Sequence, residues 1–410
     1  MSRLSSLRFG TVVTLALLTF HSATAADWPT WRFDGRRSAS TPEQLPAQLH
    51  LQWSIQQPAP RLAWPEDARL YFDQSLEPIV AGKTLFLASS RNDSLTAINT
   101  ENGERRWRFF ADAPIRFAPV AANGRVYFGA DDGCFYCLQA DDGSLAWKFR
   151  AAPADRRVIG NERFTSAWPI RGGAVLAEDT IYFTAGIWPF EGTQLYAVKI
   201  DEKEPQPQAV MLPDKVTPQG YLATDAGRVF IPSGRDTAAG IDIASGEFIS
   251  LSYQSRGKTD YHVTAEGNYL LHGDRVYDVA TKQLLANVAR RPISTRDALL
   301  GTWDGNLVAY DLADPQLVEK TDRKGAKYHE QILKPLWSVA KETLAAATGQ
   351  PEDAFLSLEL KAANQLYGIH GNKVFTVELA GEKPAVAWTT TIAGTPSRLI
   401  AADGRLFVAT

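Results

Sequence analysis

Apolar and polar positions alternate in short runs along most of the chain, and these runs recur at a fixed spacing. Residues 80–107 hold two alternating runs, a Gly-containing turn and a final Trp. Residues 121–147 repeat this order, with the turn Gly and the Trp each 40 positions later. Alternation with period two, interrupted by turn residues, is typical of successive β-strands. The pattern therefore predicts a repeated antiparallel unit of the size of one blade of a sheet.

Weaker copies of this unit continue along the chain. Their leading apolar runs lie at residues 179–183, 227–230, 267–271, 297–300, 364–367 and 401–407. One such unit cannot bury both of its faces, so neighbouring units must stack. We predict an all-β fold for residues 51–410, an eight-bladed β-propeller of four-stranded antiparallel blades whose last blade is incomplete.

Trp and Gly occupy repeated positions in these units. A Trp at the end of an outer strand can bury its ring between neighbouring blades. A Gly in a two-residue turn supplies a positive φ without steric cost. The predicted structural repeat positions are Trp53, Gly103, Trp107, Gly143, Trp147, Gly246, Trp337 and Trp388.

The N-terminus shows the three-part pattern of a targeting segment. Arg3 and Arg8 flank the start, residues 11–20 are apolar, and small residues at 23 and 25 form a cleavage signal. An apolar run of this length is well short of the ~20 residues that span a bilayer. We predict a signal peptide at residues 1–25, an N-terminal extension at 26–50, and a soluble mature protein exported to the periplasm or secreted.

Composition and charge exclude some partners and scaffolds. The 410 residues carry 43 Lys and Arg against 46 Asp and Glu, a formal net charge of −3. Nucleic acid binding needs a basic surface, so we expect no nucleic acid partner. Two cysteines rule out a disulfide scaffold.

One region, between residues 311 and 363, interrupts the repeat. It holds a charged stretch at residues 319–327, which we predict to be an exposed hairpin or loop. It also holds a short helix at residues 340–348, which Gly349 ends.

Three segments resemble a known family. Residues 97–107 and 137–147 resemble the A-x-D-x-x-T-G-x-x-x-W repeat of PQQ-like propellers, the quinoprotein alcohol dehydrogenase-like superfamily. Residues 27–32, Asp-Trp-Pro-Thr-Trp-Arg, resemble the opening of exported PQQ-repeat proteins. In that family an N-terminal strand completes the last blade, and residues 51–54 fit this role. We expect the sequence to be a fragment cut inside blade eight. The repeat is structural, so it specifies a fold better than an activity.

The resemblance raises a catalytic alternative, a PQQ-dependent dehydrogenase that oxidises alcohols or sugars with Ca²⁺ beside the quinone. In alcohol-oxidising members a G-T-G-N type sequence supplies an Asn to Ca²⁺, but the matching residues 183–187 end in Ile187. Those enzymes also carry bonded adjacent cysteines, whereas Cys134 and Cys137 on one strand would lie ~10 Å apart. The His residues show no metal or triad spacing. We predict no catalytic residue, no metal site and no cofactor, with PQQ and Ca²⁺ as the alternative.

The other hypothesis is a binding propeller. In the family topology, the loops that lead into the inner strands and the loops between second and third strands share one end of the ring, here called the funnel face. Arg and Trp are enriched at binding hot spots, and Arg favours carboxylate or phosphate ligands. The candidate residues of the funnel face are Arg91, Arg116, Arg163, Trp188, Arg235, Arg291, Trp303 and Asp304.

We predict that the funnel face binds a small anionic or aromatic ligand, a peptide or an envelope protein. Residues 186–192 are its most unusual element, because they project Trp188 and Phe190 from a hairpin. The alternative is that these two rings plug the funnel. The favoured function is an exported, non-catalytic scaffold, and a further possibility is the sensor or docking domain of a longer multidomain protein.

Overall fold

The computed structural model describes residues 26–160, 162–233, 236–250, 261–288, 291–321, 325–379 and 383–410. Antiparallel sheets follow one another along the chain, which confirms the predicted all-β propeller. The predicted signal peptide at residues 1–25 and the candidate Arg235 lie outside the described residues.

The first three blades contain an extra hairpin between the second and the third. The first strand of the described residues is β1 (Ser40–Thr41). Blade 1 consists of β2 (Ile79–Ala81), β3 (Thr84–Ser89), β4 (Ser94–Asn99) and β5 (Arg105–Phe110). Blade 2 consists of β6 (Val120–Ala122), β7 (Arg125–Gly129), β8 (Cys134–Gln139) and β9 (Leu145–Arg150). The extra hairpin is β10 (Arg157–Gly160) with β11 (Arg163–Ser166). Blade 3 consists of β12 (Gly172–Ala177), β13 (Thr180–Ala185), β14 (Gln194–Lys199) and β15 (Gln208–Met211), and β16 (Gly220–Tyr221) pairs in parallel with β12.

The next three blades contain the predicted charged insertion. Blade 4 consists of β17 (Ala223–Asp225), β18 (Arg228–Ser233), β19 (Asp236–Asp242) and β20 (Phe248–Ser250). Blade 5 consists of β21 (Val263–Glu266), β22 (Tyr269–His272), β23 (Arg275–Asp278) and β24 (Leu284–Asn287). Blade 6 begins with β25 (Ile293–Ser294), β26 (Ala298–Trp303) and β27 (Asn306–Asp311). The hairpin β28 (Gln316–Thr321) and β29 (Lys327–Ile332) then projects from it, before β30 (Pro335–Val339) completes the blade.

The last two blades follow a short helix. The helix α1 (Lys341–Thr348) ends at Gly349, whose φ is +64°, as the sequence predicted. Blade 7 consists of β31 (Leu356–Ala362), β32 (Gln365–His370), β33 (Lys373–Glu378) and β34 (Ala385–Thr391), and β1 pairs in parallel with β31. In the described chain, blade 8 has two strands, β35 (Arg398–Ala402) and β36 (Arg405–Ala409). Two 3-10 turns lie at Ala68–Leu70 and Pro189–Glu191.

A Trp and Gly contact joins neighbouring blades. The ring of Trp107 in blade 1 lies on Gly143 of blade 2 so closely that a Cβ on that Gly would lie 2.6 Å from the ring. The indole Nε1 also donates to the carbonyl of Ala140 at 3.0 Å. Gly143 has a φ of +72°, so it meets two requirements that only Gly satisfies there. The repeated Trp and Gly positions therefore determine how blade 1 packs on blade 2.

The other predicted repeat positions differ in their contacts. Trp147 is buried, while Trp337 and Trp388 pack half-buried against the core. Gly246 has a φ of +72° and open space around its Cβ position, in keeping with a turn that receives no Trp ring.

Residues 51–54 form no strand, in contrast to the closing strand that the resemblance implies. In the described chain, blade 8 offers only β35 and β36, so a third strand with which these residues could pair is not present there. Trp53 nonetheless occupies the repeated contact. Its Nε1 donates to Thr100 O at 2.8 Å, and its ring lies over Gly103 and 5.9 Å from Phe407.

Residues 26–43, here called the threading segment, run along the inner strands instead of extending from the ring. Trp28 exchanges two backbone hydrogen bonds with Val80 of blade 1, and Gly35 O accepts from Thr224 of blade 4. Backbone amides that bond to this segment come from seven of the blades: Val80, Ala121, Thr224, Ala265, Ser294, Lys361 and Asp403. The remaining blade, blade 3, is joined by Arg37, whose Nη2 donates to Ala174 O at 2.7 Å. One short segment therefore links all eight blades.

No helix in the part of the chain that the structure describes is long and apolar enough to cross a membrane.

Candidate functional site

Strand direction places two sets of loops at the funnel face. Each blade is an antiparallel meander, so its inner strand begins at the end where its second strand meets its third. The turns between the first and second strands lie at the opposite end. There the carbonyl groups of the threading segment accept hydrogen bonds from the backbone amides of Ala121, Thr224 and Ala265.

A buried ion-pair network lies beneath the funnel face. Arg116 Nη1 is 2.5 Å from Asp73 Oδ2, and its Nε is 2.6 Å from Asp131 Oδ2. Arg171 Nε lies 2.6 Å from Asp131 Oδ1. Burial raises the pKa of Asp131, but the guanidiniums of Arg116 and Arg171 outweigh burial and leave that pKa below its ordinary value. Asp131, Arg116 and Arg171 therefore all carry their charges and form a structural ion-pair cluster.

The position of Arg116 differs from the sequence prediction. The prediction placed it as a ligand-facing guanidinium, but Arg116 is buried and two carboxylates hold it. Its Nη1 also donates to Arg61 O at 2.8 Å. A sequence gives no means of seeing these partners, since they come from distant loops. The role of Arg116 is to hold residues 60–76, here called the strap, against blade 2.

The strap crosses the funnel face towards blades 3 and 4. Asp73 Oδ2 accepts from the backbone amide of Ala63 at 2.9 Å, which closes the strap on itself. Trp64 Nε1 donates to Gln219 Oε1 at 2.6 Å, and its ring lies 6.0 Å from that of Trp188 in a T-shaped arrangement. The strap therefore covers part of the funnel that the sequence suggested was open.

Aromatic rings fill the axis of the ring. Trp31 of the threading segment stacks on Tyr221 at 3.9 Å and lies 5.0 Å from His262. Phe117 meets Tyr221 edge-on at 4.9 Å and stacks on Phe72 of the strap at 5.0 Å. The rings come from the threading segment, the strap, β16 and the chain that leads into blades 2 and 5, so they form a packed core between these parts of the ring.

The remaining predicted funnel residues do not form one ring of free side chains. Arg163 lies on β11 and contacts the carboxylate of Asp93, whereas Arg91 is exposed. Trp303 and Asp304 lie exposed at the turn between β26 and β27, on another part of the ring. Arg291 lines a separate cavity beside the axis.

Trp188 and Phe190 do not plug the funnel. Trp188 is 39% exposed and Phe190 is 82% exposed. The neighbouring hairpin adds the cross-strand pair Ile159 and Phe164, which are 73% and 67% exposed. We call these four side chains the apolar ridge.

The base of the apolar ridge is held in place. The Arg156 guanidinium contacts the Glu191 carboxylate, which joins the hairpin to the turn that carries Phe190. Trp168 Nε1 donates to Glu191 O at 2.7 Å, and Arg156 lies over the Trp168 ring at 4.8 Å. These contacts join the base of the hairpin that carries Ile159 and Phe164 to the turn that carries Trp188 and Phe190.

Sequence reasoning missed the hairpin half of the apolar ridge. Residues 157–166 alternate poorly and follow several charged positions, so they did not predict strands. A usable signal was the pair of apolar residues, Ile159 and Phe164, on either side of the polar residues 160–163, since exposed apolar groups beside a turn mark interaction sites.

Comparisons with known proteins found a family model and several solved structures that this chain resembles. The sequence model of a family described as outer membrane protein assembly factor BamB (PQQ_2) matches residues 50–202. A europium-containing methanol dehydrogenase is similar in structure with a TM-score of 0.53 and 11% identity, over 93% of this chain and 89% of that chain. BamB from Moraxella catarrhalis gives a TM-score of 0.39 and 11% identity over 80% of this chain and 76% of that one. Quinohemoprotein alcohol dehydrogenase from Comamonas testosteroni gives a TM-score of 0.49 and 12% identity, over 93% of this chain and 76% of that chain.

These findings confirm the resemblance to PQQ-like propeller proteins. A comparison with curated proteins found no match. Structural likeness at 11% identity establishes the fold and leaves the activity to the residues of the chain.

Proposed function

We propose that this chain is an exported, non-catalytic propeller that binds a protein partner through the apolar ridge. The observation that carries the proposal is the joint exposure of Phe164 and Phe190 on two adjoining loops. Large apolar side chains gathered on a surface mark interaction sites, and aromatic residues are enriched at binding hot spots.

The anchoring of the apolar ridge supports the proposal. Since Arg156 and Glu191 join its two loops, the ridge needs little ordering when a partner binds. Arg157 beside it is exposed, which gives the apolar centre a polar rim.

The family match supports an envelope protein as the partner. Residues 50–202 include all four side chains of the apolar ridge, and the matching family is described as an outer membrane protein assembly factor. Export rests on the N-terminal sequence pattern, which predicts cleavage after Ala25.

The packing of the axis supports a function without PQQ. A planar quinone needs an open slot, and the rings of Trp31 and Tyr221 stack on each other at 3.9 Å, so no slot remains between them. Cys134 and Cys137 are both free and buried, so they supply no disulfide beside such a slot. We propose no cofactor and no catalytic step.

Removing the apolar ridge tests the proposal. The double variant Phe164→Asp/Phe190→Asp should lose at least about tenfold in retention of a partner from envelope extracts, because an interface centre tolerates charge poorly. The matched control is Leu317→Asp on the β28–β29 hairpin, where Leu317 is 65% exposed. Equal thermal unfolding temperatures should establish that all three proteins are folded. Unchanged retention by the double variant would contradict the proposal.

A further inference from the structure

A cavity beside the axis contains more positive than negative charge. It lies between the threading segment and blades 6 to 8 and 1, has a volume of about 20 Å³, and is partly open to solvent. Its charged lining consists of Arg32, Arg291 and Arg398 with Glu77 and Glu359. Three guanidiniums against two carboxylates leave an excess of one positive charge.

The two carboxylates have defined partners. Glu77 accepts from Arg398 Nε at 2.5 Å and from Trp31 Nε1 at 3.1 Å, so both of its oxygens are used. Glu359 accepts from Ser357 Oγ at 2.6 Å. Burial raises the pKa of Glu359, but the nearby arginines outweigh burial and leave that pKa below its ordinary value. Glu359 therefore stays charged and cannot donate a proton to the cavity.

The donors are not all satisfied. Arg291 makes no hydrogen bond or ion pair with a described residue, and it adopts a φ of +51°, which is rare for a residue other than Gly. Arg32 uses Nε and Nη2 on the carbonyls of Arg37 and Pro292, which leaves its Nη1 without an acceptor among the described residues. Burial and the neighbouring Arg291 and Arg398 lower the pKa of Arg32 to about 9, and the carboxylates of Glu359 and Glu77 offset only part of this effect.

Trp28 gives an independent indication of a missing acceptor. This Trp lines the same cavity, is 2% exposed, and its Nε1 is buried without a hydrogen-bond partner among the described residues. A buried donor without an acceptor costs about 1–3 kcal/mol. The guanidinium of Arg291 and the indole N–H of Trp28 thus both lack a hydrogen-bond acceptor among the described residues, and an anionic oxygen can accept from either donor.

We propose that this cavity binds a small aliphatic monocarboxylate. One negative charge balances the excess charge, and a planar carboxylate matches the guanidinium fork of Arg291. The cavity admits a group of about the size of a carboxylate, and Pro78, Leu399 and Ile400 in its lining offer apolar contacts to a short alkyl group. The cavity lies away from the apolar ridge, which belongs to the connections around blades 2 and 3, so this inference does not rest on the proposed function.

The test uses sodium propanoate as the probe and the heat of binding as the readout. Calorimetric titration should show one saturable site for propanoate at constant ionic strength. Arg291→Gln should weaken binding at least about tenfold, since it removes a charge-assisted hydrogen-bond donor. The matched control Arg296→Gln removes an exposed Arg near the opposite end of blade 6 and should leave the affinity unchanged.

Two results would overturn the inference. Chloride binding as tightly as propanoate, with the same loss in Arg291→Gln, would show that the site does not select a carboxylate. Absence of a saturable signal in the native protein, or equal affinity in the Arg291→Gln and native proteins, would show that the cavity is not a carboxylate site. Arg291→Lys serves as a second variant, because it keeps the charge and should bind more weakly than native but more tightly than Arg291→Gln.

Discussion

Arg37 should be one of the most important single residues for the stability of the ring. Its side chain is fully buried, and it donates to Leu222 O at 2.6 Å and to Ala174 O at 2.7 Å, which belong to blades 4 and 3. It also donates to Thr30 Oγ1 and Trp31 O, both at 2.9 Å. Arg37→Met keeps the length of the side chain and removes every donor.

The magnitude follows from the acceptors that lose their donor. Each buried carbonyl left without a donor costs about 1–3 kcal/mol, and two such carbonyls face Arg37 across the ring. Relief from burying a charge offsets part of this cost. We expect the free energy of unfolding to fall by about 2–4 kcal/mol. Urea denaturation followed by Trp fluorescence should show this as a lower midpoint with an unchanged slope.

The adjacent residue provides the matched control. The side chain of Arg36 is 29% exposed and pairs with Asp34 and Glu266. Because partly exposed ion pairs contribute little, Arg36→Met should cost about 1 kcal/mol or less. If Arg37→Met were no more destabilising than Arg36→Met, then the threading segment would not be held as described.

Three further predictions concern the blades, the thiols and the axis. Gly143→Ala should lower the free energy of unfolding by about 2 kcal/mol more than Gly124→Ala does, as measured by urea denaturation. Both glycines have a φ of +72°, but only Gly143 contacts the Trp107 ring. Equal losses of stability in the two variants would refute this contact. Burial raises the pKa of the Cys134 and Cys137 thiols to about 11, so both should resist a thiol reagent at pH 8 until the protein unfolds, and rapid labelling of the folded protein would contradict this. Titration with PQQ, with and without Ca²⁺, should leave the quinone absorbance unchanged, whereas a saturable change would favour the dehydrogenase alternative.

The blades were predictable because their signals are local. Alternation, turn glycines and the Trp107 position all lie within a stretch of about forty residues, so a single sequence shows them. The helix ended by Gly349 and the charged hairpin were predictable for the same reason. Residues 51–54 were wrongly expected to form a strand, since a strand exists only where a neighbour offers hydrogen bonds.

The site was harder to predict because its contacts are long-range. Arg116 looked like a free cation, but its partners Asp73 and Asp131 come from the strap and from a blade 2 turn. Residues 26–43 read as a plain extension, although their hydrogen bonds reach every blade. The aromatic turn with Trp188 and Phe190 was identified from sequence, and its exposure needed the structure.

The most direct test of the central claim places a photo-crosslinking residue on the apolar ridge. Benzoylphenylalanine at position 190, and separately at 164, should each give the same discrete adduct with one envelope protein when cells are irradiated. The same residue at position 317 should give none. Absence of adducts at both ridge positions, or an equal adduct at position 317, would contradict the account of the apolar ridge as a docking site for a protein partner.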